Sequence, residues 1–327
     1  MDPSTDTFLI QSYFDQAAEV ASLLSIKLTS RMWDGNRVLM AGFPVQHLDK
    51  YLKVLVQQNK RFVAMCEEFR KPGVPQTNFE RTFDRRVTRV LTPGTLIDES
   101  FLNHYENNYL LAVGRPEDVD GLRLGLAWLD VSTGEFFAQE SNTDALRDEV
   151  ARIGPQEIVL DRRLEACPDD PIRRLLVEEG CFVSYADLEA TSAQGIIPAT
   201  PAAAMDDVTA TATSSEDAAL SGSGSSNAVT ESSIQPVFSV DETAAIHLLT
   251  SFLHQNLMEH APQLQMGSRS RAQRAGVERM QIDAHTIKAL EIRETMREGG
   301  QSGTLLSAIK RTTTNSGTRL LTRWLCK

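Results

Sequence analysis

Three features that would each define a class of protein are missing from this sequence. No apolar run approaches the roughly 20 residues of a membrane-spanning helix, so we expect no membrane partner. There is no Gly-Lys dipeptide and hence no GxxxxGK[ST] phosphate-binding loop, so no nucleotide cofactor is expected on this chain. The four cysteines lack CxxC pairs and histidine partners at zinc-ligand spacing. We therefore expect no metal site, and reduced, mostly buried thiols at Cys66, Cys167, Cys181 and Cys326.

One long segment lacks basic and aromatic residues altogether. Residues 190–235 contain no Lys, Arg, Phe, Tyr or Trp, and 29 of these 46 residues are Ala, Ser, Thr or Gly. Such a composition cannot bury enough apolar area to offset the entropy of ordering the chain. We predict a disordered linker or insertion, which separates an α/β part from an all-helical part.

Acidic residues outnumber basic ones over the whole chain, but not near its start. The net charge is −11, whereas residues 15–91 carry thirteen Lys or Arg and eight Asp or Glu. A basic first domain on an acidic chain is consistent with local binding of phosphate. An ordinary basic surface explains the same charge pattern.

Helix and strand patterns alternate in the first part of the chain, roughly residues 12–91. One helical face is marked by Phe14, Ala17, Ala18, Ala21 and Leu24. A second helix and short strands follow, with apolar residues at the spacing that each requires. The pattern predicts a small mixed sheet with helices packed on it. The predicted strands cover Ile26–Thr29, Val38–Ala41, Phe62–Cys66 and Arg86–Leu91.

The second part, about residues 107–188, begins with three strand patterns and continues as helix, strand, helix, strand. Leu122–Val131 is apolar on both faces, as expected for a covered central strand. This order favours a three-layer α/β domain of the ribonuclease-H-like type. From Phe238 onward the periodicity is helical only. The last apolar face, at Leu320, Leu321, Trp324 and Leu325, predicts a core that this sequence leaves uncovered.

Several stretches, in order, resemble the MutS family of DNA mismatch-recognition proteins, and in particular its fungal mitochondrial members. They are Ser25–Arg31 (SIKLTSR), Met40–Tyr51 (MAGFPVQHLDKY), Arg86–Leu96 (RVTRVLTPGTL), Leu126–Phe136 (LAWLDVSTGEF) and parts of Asp283–Trp324 such as TLLSAIKRT. The resemblance implies a mismatch-recognition domain at 1–92, a connector at 107–188, the linker at 190–235 and the start of the lever domain at 238–327. It also implies that the chain is a fragment without the family's ATPase domain, which uses ATP and Mg²⁺.

The same resemblance implies a partner and a location. The partner is double-stranded DNA with a mismatch or a small loop, bound in the intact family by a MutS-type dimer. The location is the mitochondrion, although the first ten residues, with Asp2 and Asp6 and no Lys or Arg, resemble neither a secretory signal nor a transit peptide. A nuclear or cytosolic location is the alternative.

The family's Phe-x-Glu motif, which wedges beside a mispaired base, has no intact counterpart. Without gaps, its positions hold Leu9, Ile10 and Gln11. A wedge senses mismatches because weakly stacked DNA kinks most easily. Leu or Ile still offers an apolar wedge and Gln a hydrogen bond, but neither reproduces the motif. A damaged N-terminal sequence is our preferred explanation.

Six side chains are candidates for binding DNA phosphates. Contact of this kind positions DNA without reading its sequence. The alternative for the five Lys and Arg candidates is that they are solvated residues at strand ends. The alternative for the sixth candidate, His47, is that it is a surface histidine beside a core-packing loop, Met40–Val45. The candidates are Lys60, Arg61, Arg85, Arg86, Arg89 and His47.

Two other functions are compatible with parts of the sequence. A metal-dependent nuclease would need clustered carboxylates, and Asp130, Glu135 and Asp161 are the candidates on the connector. Structural roles for these acids are favoured, because fold alone does not establish an activity. The main rival is a fragment that retains protein contacts but no longer binds DNA.

Overall fold

A computed structural model describes residues 9–70, 83–96, 107–115, 123–187, 238–258, 265–266, 282–297 and 299–326. Its elements form the mixed α/β architecture that the sequence predicts, followed by short helices. The segment predicted to be a disordered linker lies outside the described residues. Within the described part, no helix is both long and apolar enough to cross a bilayer.

The first domain contains two small antiparallel sheets rather than one mixed sheet. Three strands form a sheet of order β1-β3-β2. Two further strands, β4 and β5, pair with each other and with no other strand among the residues that the structure describes. Strand β1 was not predicted from the sequence, and it pairs with a stretch that was predicted to be a loop. The elements are β1 (Leu9–Tyr13), α1 (Phe14–Leu24), β2 (Leu28–Trp33), β3 (Asn36–Pro44), α2 (Leu48–Leu52), β4 (Val63–Arg70) and β5 (Phe83–Leu91).

Small residues bring α1 close to one face of the three-stranded sheet. Ala17 and Ala21 on the helix pack against Ala41 on β3, and all three are buried. The methyl side chain of alanine is too small to hold the two backbones apart. Phe43, on the same face of β3, continues the core toward Leu52 on α2. The opposite face of this sheet therefore remains uncovered by α1.

The connector is built around a six-stranded sheet of order β10-β9-β6-β7-β8-β11. Its centre, β6-β7-β8, is antiparallel, and β6-β9-β10 is parallel. This confirms the three-layer arrangement inferred from the order of the elements. They are β6 (Tyr109–Gly114), β7 (Arg123–Asp130), β8 (Glu135–Asn142), α3 (Leu146–Ile153), β9 (Glu157–Asp161), α4 (Pro171–Glu178), β10 (Val183–Ala186), α5 (Val240–Leu257) and β11 (Gln265–Met266).

Helix α5 forms one outer layer of the connector, although we assigned it from sequence to the lever region. Its residues Ala245, Leu249 and Phe252 share a buried core with strands β6 and β7. Helices α3 and α4 cover the other face of the sheet. A capping box between Ser239 and Glu242 fixes the start of α5. The predicted domain boundary at residue 238 separates α5 from the connector, whereas in the structure α5 packs on the connector sheet.

Three short helices follow, each opened by a side-chain cap. Asp283, predicted as an N-cap, accepts a hydrogen bond from the Thr286 amide at 2.8 Å, which confirms that prediction. Thr304 and Thr314 cap the next two helices in the same way. The helices are α6 (Ala284–Ala289), α7 (Leu305–Ile309) and α8 (Asn315–Leu325).

The four cysteines are free, but they are less buried than we predicted. Cys66 and Cys167 are exposed, Cys181 is partly buried, and only Cys326 is buried. Cys66 lies on β4, a strand of the isolated two-stranded sheet, where most side chains face solvent. An apolar run in the sequence does not show that its strand belongs to a large sheet.

Candidate nucleic-acid interface

Strand register defines an open face on the three-stranded sheet. Residues paired directly across an antiparallel sheet point to the same side, and side chains alternate along each strand. Since Ala41 and Phe43 face α1, the alternate positions face away from it. From the register these positions are Leu9, Gln11 and Tyr13 on β1, Asn36, Val38, Met40, Gly42 and Pro44 on β3, and Thr29, Arg31 and Trp33 on β2.

Both wedge positions of the degenerate motif lie on this open face. Leu9 pairs with Pro44, and Gln11 pairs with Gly42. A Cβ atom on Gly42 would lie 3.0 Å from the Ile10 carbonyl oxygen and 3.4 Å from Cγ of Gln11. Glycine therefore leaves room for the exposed Gln11 side chain, whose amide oxygen accepts a hydrogen bond from the Tyr13 hydroxyl.

The stretch Met40–Pro44, predicted to be a loop, instead forms the end of β3. It is extended because β1 pairs with it along its whole length. His47 lies in the short 3₁₀ turn Val45–His47 that follows, exposed and immediately before α2. Its ring centroid is 6.1 Å from that of Tyr51. Contact between His47 and a phosphate stays a prediction.

The five predicted phosphate-binding cations do not form one cluster. Arg85, Arg86 and Arg89 share strand β5, whereas Lys60 and Arg61 precede β4, next to the far end of β5. Six residues of an extended strand separate Arg85 from Leu91, which is about 20 Å at ~3.3 Å per residue. The cations therefore lie along the length of the hairpin.

Three of these arginines are held in ion pairs at the surface. Arg61 lies 2.6 Å from Glu19, Arg85 2.6 Å from Glu68, and Arg86 2.8 Å from Asp84. The hydrogen bond to Glu68 raises the pKa of Arg85 above its ordinary value. All three pairs are solvent-exposed, where an ion pair contributes only about 0–1 kcal/mol. A phosphate can therefore replace the carboxylate at little cost in free energy.

Lys60 and Arg89 have different surroundings from the other three. Lys60 has a positive φ of 51°. Burial raises the pKa of the Glu157 carboxyl on the connector, and the charge of Lys60 offsets a small part of that rise. Lys60 thus lies toward the junction of the first two domains. Arg89 is partly buried on β5, opposite Met65. Binding of phosphate by either residue is a prediction that the geometry leaves open.

The acids considered for a nuclease have structural partners instead. Asp130 and Glu135 are paired across β7 and β8. The Arg319 guanidinium lies 3.9 Å from Asp130, and Arg323 forms an ion pair with Glu135. Asp161 caps the turn after β9 by accepting a hydrogen bond from the Arg163 amide. Among the described residues, no three His, Cys, Asp or Glu side chains form a group that could hold a metal ion.

Sequence reasoning missed Tyr13, Arg31 and Trp33 on the open face. Their ring and guanidinium groups lie on the side of the sheet that carries the wedge positions. Only the alternation Thr29, Arg31, Trp33 along β2 could have revealed two of them. That signal has meaning only when β1 and the register of the sheet are known.

Taken together, a small open-faced sheet, a ribonuclease-H-like connector and a helical continuation define a multidomain α/β class of protein. Residues 9–100 match MutS domain I, residues 108–189 match MutS domain II, and residues 285–327 match MutS domain III. These matches follow one another in the family's order and together cover more than half of the chain. The chain belongs to the MutS family.

Curated relatives agree with this assignment. The chain is 34% identical over 316 residues to the DNA mismatch repair protein MutS of Nitrobacter winogradskyi, a match that covers 95% of this chain and 32% of that protein. The proteins of the same name from Rhizobium meliloti and Rhodopirellula baltica are 30% and 31% identical, over 94% of this chain and 31% and 32% of their own lengths. The chain therefore spans about a third of the length of these relatives.

Proposed function

We propose that this chain binds double-stranded DNA containing a mismatch or a small loop, through the open face of the β1-β3-β2 sheet. The register carries this proposal, because it places Leu9 and Gln11 beside Pro44 and Gly42 on a face that α1 leaves free. An exposed three-stranded face that carries an apolar wedge suits the minor groove, where the wedge exploits the deformability of a mispair.

Affinity in this proposal comes from phosphate contacts and discrimination from the wedge. The exposed arginines on β5 exchange their carboxylate partners for phosphates, which makes binding salt-dependent. Discrimination is weak, because Leu9 and Gln11 replace the aromatic ring and the carboxyl of the Phe-x-Glu motif. We therefore expect salt-sensitive DNA binding with little preference for mismatched over matched DNA.

Titration of matched and G·T-mismatched duplexes at several salt concentrations tests this proposal. If about four cations reach phosphates, the log–log salt slope is near −4 at ~0.9 per phosphate. The mismatch preference should stay below about tenfold, or ~1.4 kcal/mol. The double variant R85A/R86A should weaken binding to both duplexes and lower the slope. Arg174→Ala, an exposed arginine on α4, is the matched control.

Restoring the motif provides a separate test of the wedge. Leu9→Phe with Gln11→Glu should raise affinity for the mismatched duplex more than for the matched one, because only the weakly stacked site admits the ring. An equal rise for both duplexes would show that these positions do not correspond to the motif. Binding that ignores salt would show that the arginines on β5 do not touch phosphate.

A second candidate function is that of an interaction fragment that does not bind DNA. Two observations favour it: the altered motif, and the ion pairs that hold Arg61, Arg85 and Arg86. The same titration separates the two functions. Absence of any duplex binding at low salt supports the interaction fragment.

Three further proposals rest on the family resemblance. We propose that the protein acts in the fungal mitochondrion, that its intact form is a dimer, and that the family's use of ATP and Mg²⁺ belongs to a domain outside this chain. The missing GxxxxGK[ST] motif supports the last of these. The purified chain should not hydrolyse ATP. Magnesium-dependent hydrolysis that follows the protein through repeated purification would overturn that proposal.

A further inference from the structure

Two aromatic side chains form an edge-on pair at one end of the open face. The rings of Tyr13 and Trp33 have centroids 6.1 Å apart and an interplanar angle of 72°. Trp33 remains 54% exposed, which is unusual for the largest side chain in a small domain. An exposed indole that already has an aromatic neighbour offers a ready surface for another flat ring.

The aromatic pair is continuous with the wedge positions. The Tyr13 hydroxyl donates a hydrogen bond to the amide oxygen of Gln11, so one side chain contacts both the degenerate wedge motif and the Trp33 ring. Arg31 lies two residues before Trp33 on the same face of β2. A ligand that extended from the wedge positions to Trp33 would therefore also lie near the cationic side chain of Arg31.

The hairpin between β2 and β3 holds Trp33 in place. Asp34 and Gly35 both have positive φ, 49° and 79°, as required for a type I′ turn, which matches the twist of the adjoining strands. Trp33 pairs with Asn36 at the last register position before this turn. The indole thus projects from a short, well-defined turn rather than from a long loop.

The charge of the open face favours a nucleic acid over an acidic protein surface as the occupant. None of the eleven positions on this face is Asp or Glu, and Arg31 lies among them. Aromatic rings interleaved with arginine are the usual means of binding an unpaired, stacked base.

We propose that Trp33 and Tyr13 bind an unpaired nucleotide displaced from the duplex beside the wedge. A paired base shows only its edge in a groove, whereas an unpaired base offers the ring face on which an indole can stack. Stacking does not read base identity, so the site accepts any base. This inference rests on the proposed function and assigns to it a substrate class: small extrahelical loops in preference to base–base mismatches.

The test compares a matched duplex and a G·T-mismatched duplex with the same duplex carrying a three-thymine extrahelical loop. Trp33→Ala should lower affinity for the looped duplex about tenfold and for each of the other two duplexes less than twofold. Met32→Ala is the matched control, because Met32 is the adjacent residue, is 65% exposed, and faces the other side of the sheet. Thermal unfolding of both variants verifies that the fold is unchanged.

Intrinsic fluorescence gives a second readout in a Trp324→Phe background, where Trp33 is the exposed tryptophan and Trp128 is buried. The looped duplex should quench it more than the matched duplex does. Tyr13→Phe, which keeps the ring, should retain the loop preference that Tyr13→Ala loses.

Two results would overturn the inference alone. If Trp33→Ala lowered the affinity for the looped duplex and for the matched duplex equally, Trp33 would be a general duplex contact. If Trp33→Ala lowered neither affinity while salt-sensitive binding persisted, Trp33 would lie outside the interface. Failure of the unmodified protein to bind either duplex at low salt would instead overturn the proposed function.

Discussion

Glu157 shows how a single residue links two domains. It is fully buried at the start of β9 and accepts hydrogen bonds from the Thr92 hydroxyl, the Gly94 amide and the Ser184 hydroxyl. Thr92 and Gly94 close the first domain, so this carboxyl ties that domain to the connector sheet. Burial raises the pKa of Glu157 above its usual range, and the hydrogen bonds offset only part of that shift.

The raised pKa of Glu157 predicts the sign of a pH effect. Because the folded state binds this proton more tightly than the unfolded state, the contribution of Glu157 to the free energy of unfolding falls as pH rises from the ordinary carboxyl range through its folded-state pKa. Glu157→Gln removes this titration. Relative to the unmodified protein, the variant should therefore gain stability as pH increases.

Denaturant unfolding at several pH values between about 4 and 8 measures this difference. The exposed carboxyl of Glu165 provides the control, since Glu165→Gln leaves the buried group untouched. A stability difference between Glu157→Gln and the unmodified protein that stays constant with pH would contradict the prediction.

Residue-level predictability was lowest where partners are distant in sequence. Glu157 looks like an ordinary strand end, because Thr92 and Gly94 lie 65 and 63 residues away. Phosphate contact by Arg61, Arg85 and Arg86 stays a prediction, and the sequence did not indicate their acidic partners. Glu68 faces Arg85 only through strand pairing, and Glu19 reaches Arg61 only through the packing of α1. Asp283 was predictable as a cap because its partner, Thr286, is only three residues away.

At the scale of elements, close backbone contact holds α5 on the connector sheet. A Cβ atom on Gly125 would lie 1.7 Å from the Asp241 carbonyl oxygen, and one on Gly114 would lie 2.4 Å from the amide nitrogen of Ala245. These strands need glycine because the helix backbone crosses directly over them. Their role could not be read from sequence, where glycine in a strand has several explanations.

Substituting Gly125 tests this contact. Gly125→Ala should destabilise the protein by about 1–3 kcal/mol, since the helix must move to admit the methyl group. Gly300→Ala is the control, because its Cβ atom would meet nothing closer than 3.9 Å. Equal denaturation midpoints for the two variants would mean that α5 does not pack as described.

The joint between α3 and the following helices depends on an arginine. Arg293 donates hydrogen bonds to the carbonyl oxygens of Ala151, Arg152 and Ile153, the last turn of α3. A cation at this end also complements the helix dipole. Gly154, with a φ of 63°, leaves the space that the Arg293 guanidinium occupies.

Removing this cap should weaken the joint without unfolding the connector. Arg293→Met keeps most of the side-chain volume and should cost about 1–2 kcal/mol of stability. Arg297→Met, an exposed neighbour, should have little effect. Hydrogen exchange would locate the change, with faster exchange expected in α6 and the end of α3 only.

For the whole molecule, sequence patterns predicted the order of the parts better than their grouping. Periodicity identified the α/β region, the ribonuclease-H-like succession of elements and the two apolar ridges of α5. It could not show that α5 returns to the connector, because an apolar helix does not specify which sheet it covers. The low-complexity segment therefore lies between two elements of one domain, β10 and α5.

Because β10 and α5 both belong to the connector, we expect the segment between them to be an insertion within that domain and not a linker between independent domains. The Ser251 hydroxyl on α5 donates a hydrogen bond to the Asp187 carbonyl, just after β10. Val240 is eleven residues before Ser251, or about 17 Å along a helix. After deletion of residues 190–235, six residues would remain between Asp187 and Val240, and they can span about 23 Å. The shortened chain can therefore still close the connector.

The deletion variant should fold, with stability equal to or up to about 2 kcal/mol above that of the full chain, because a shorter loop loses less entropy on closure. Limited proteolysis of the full chain should cut first within residues 190–235, and the two pieces should then remain together on gel filtration, since α5 buries its apolar face against β6 and β7. Gly125→Ala should weaken that association, whereas Gly300→Ala should not. Pieces that separate under native conditions would show that the segment divides independent domains, as its composition first suggested. An insoluble deletion variant would show that these residues are required for folding.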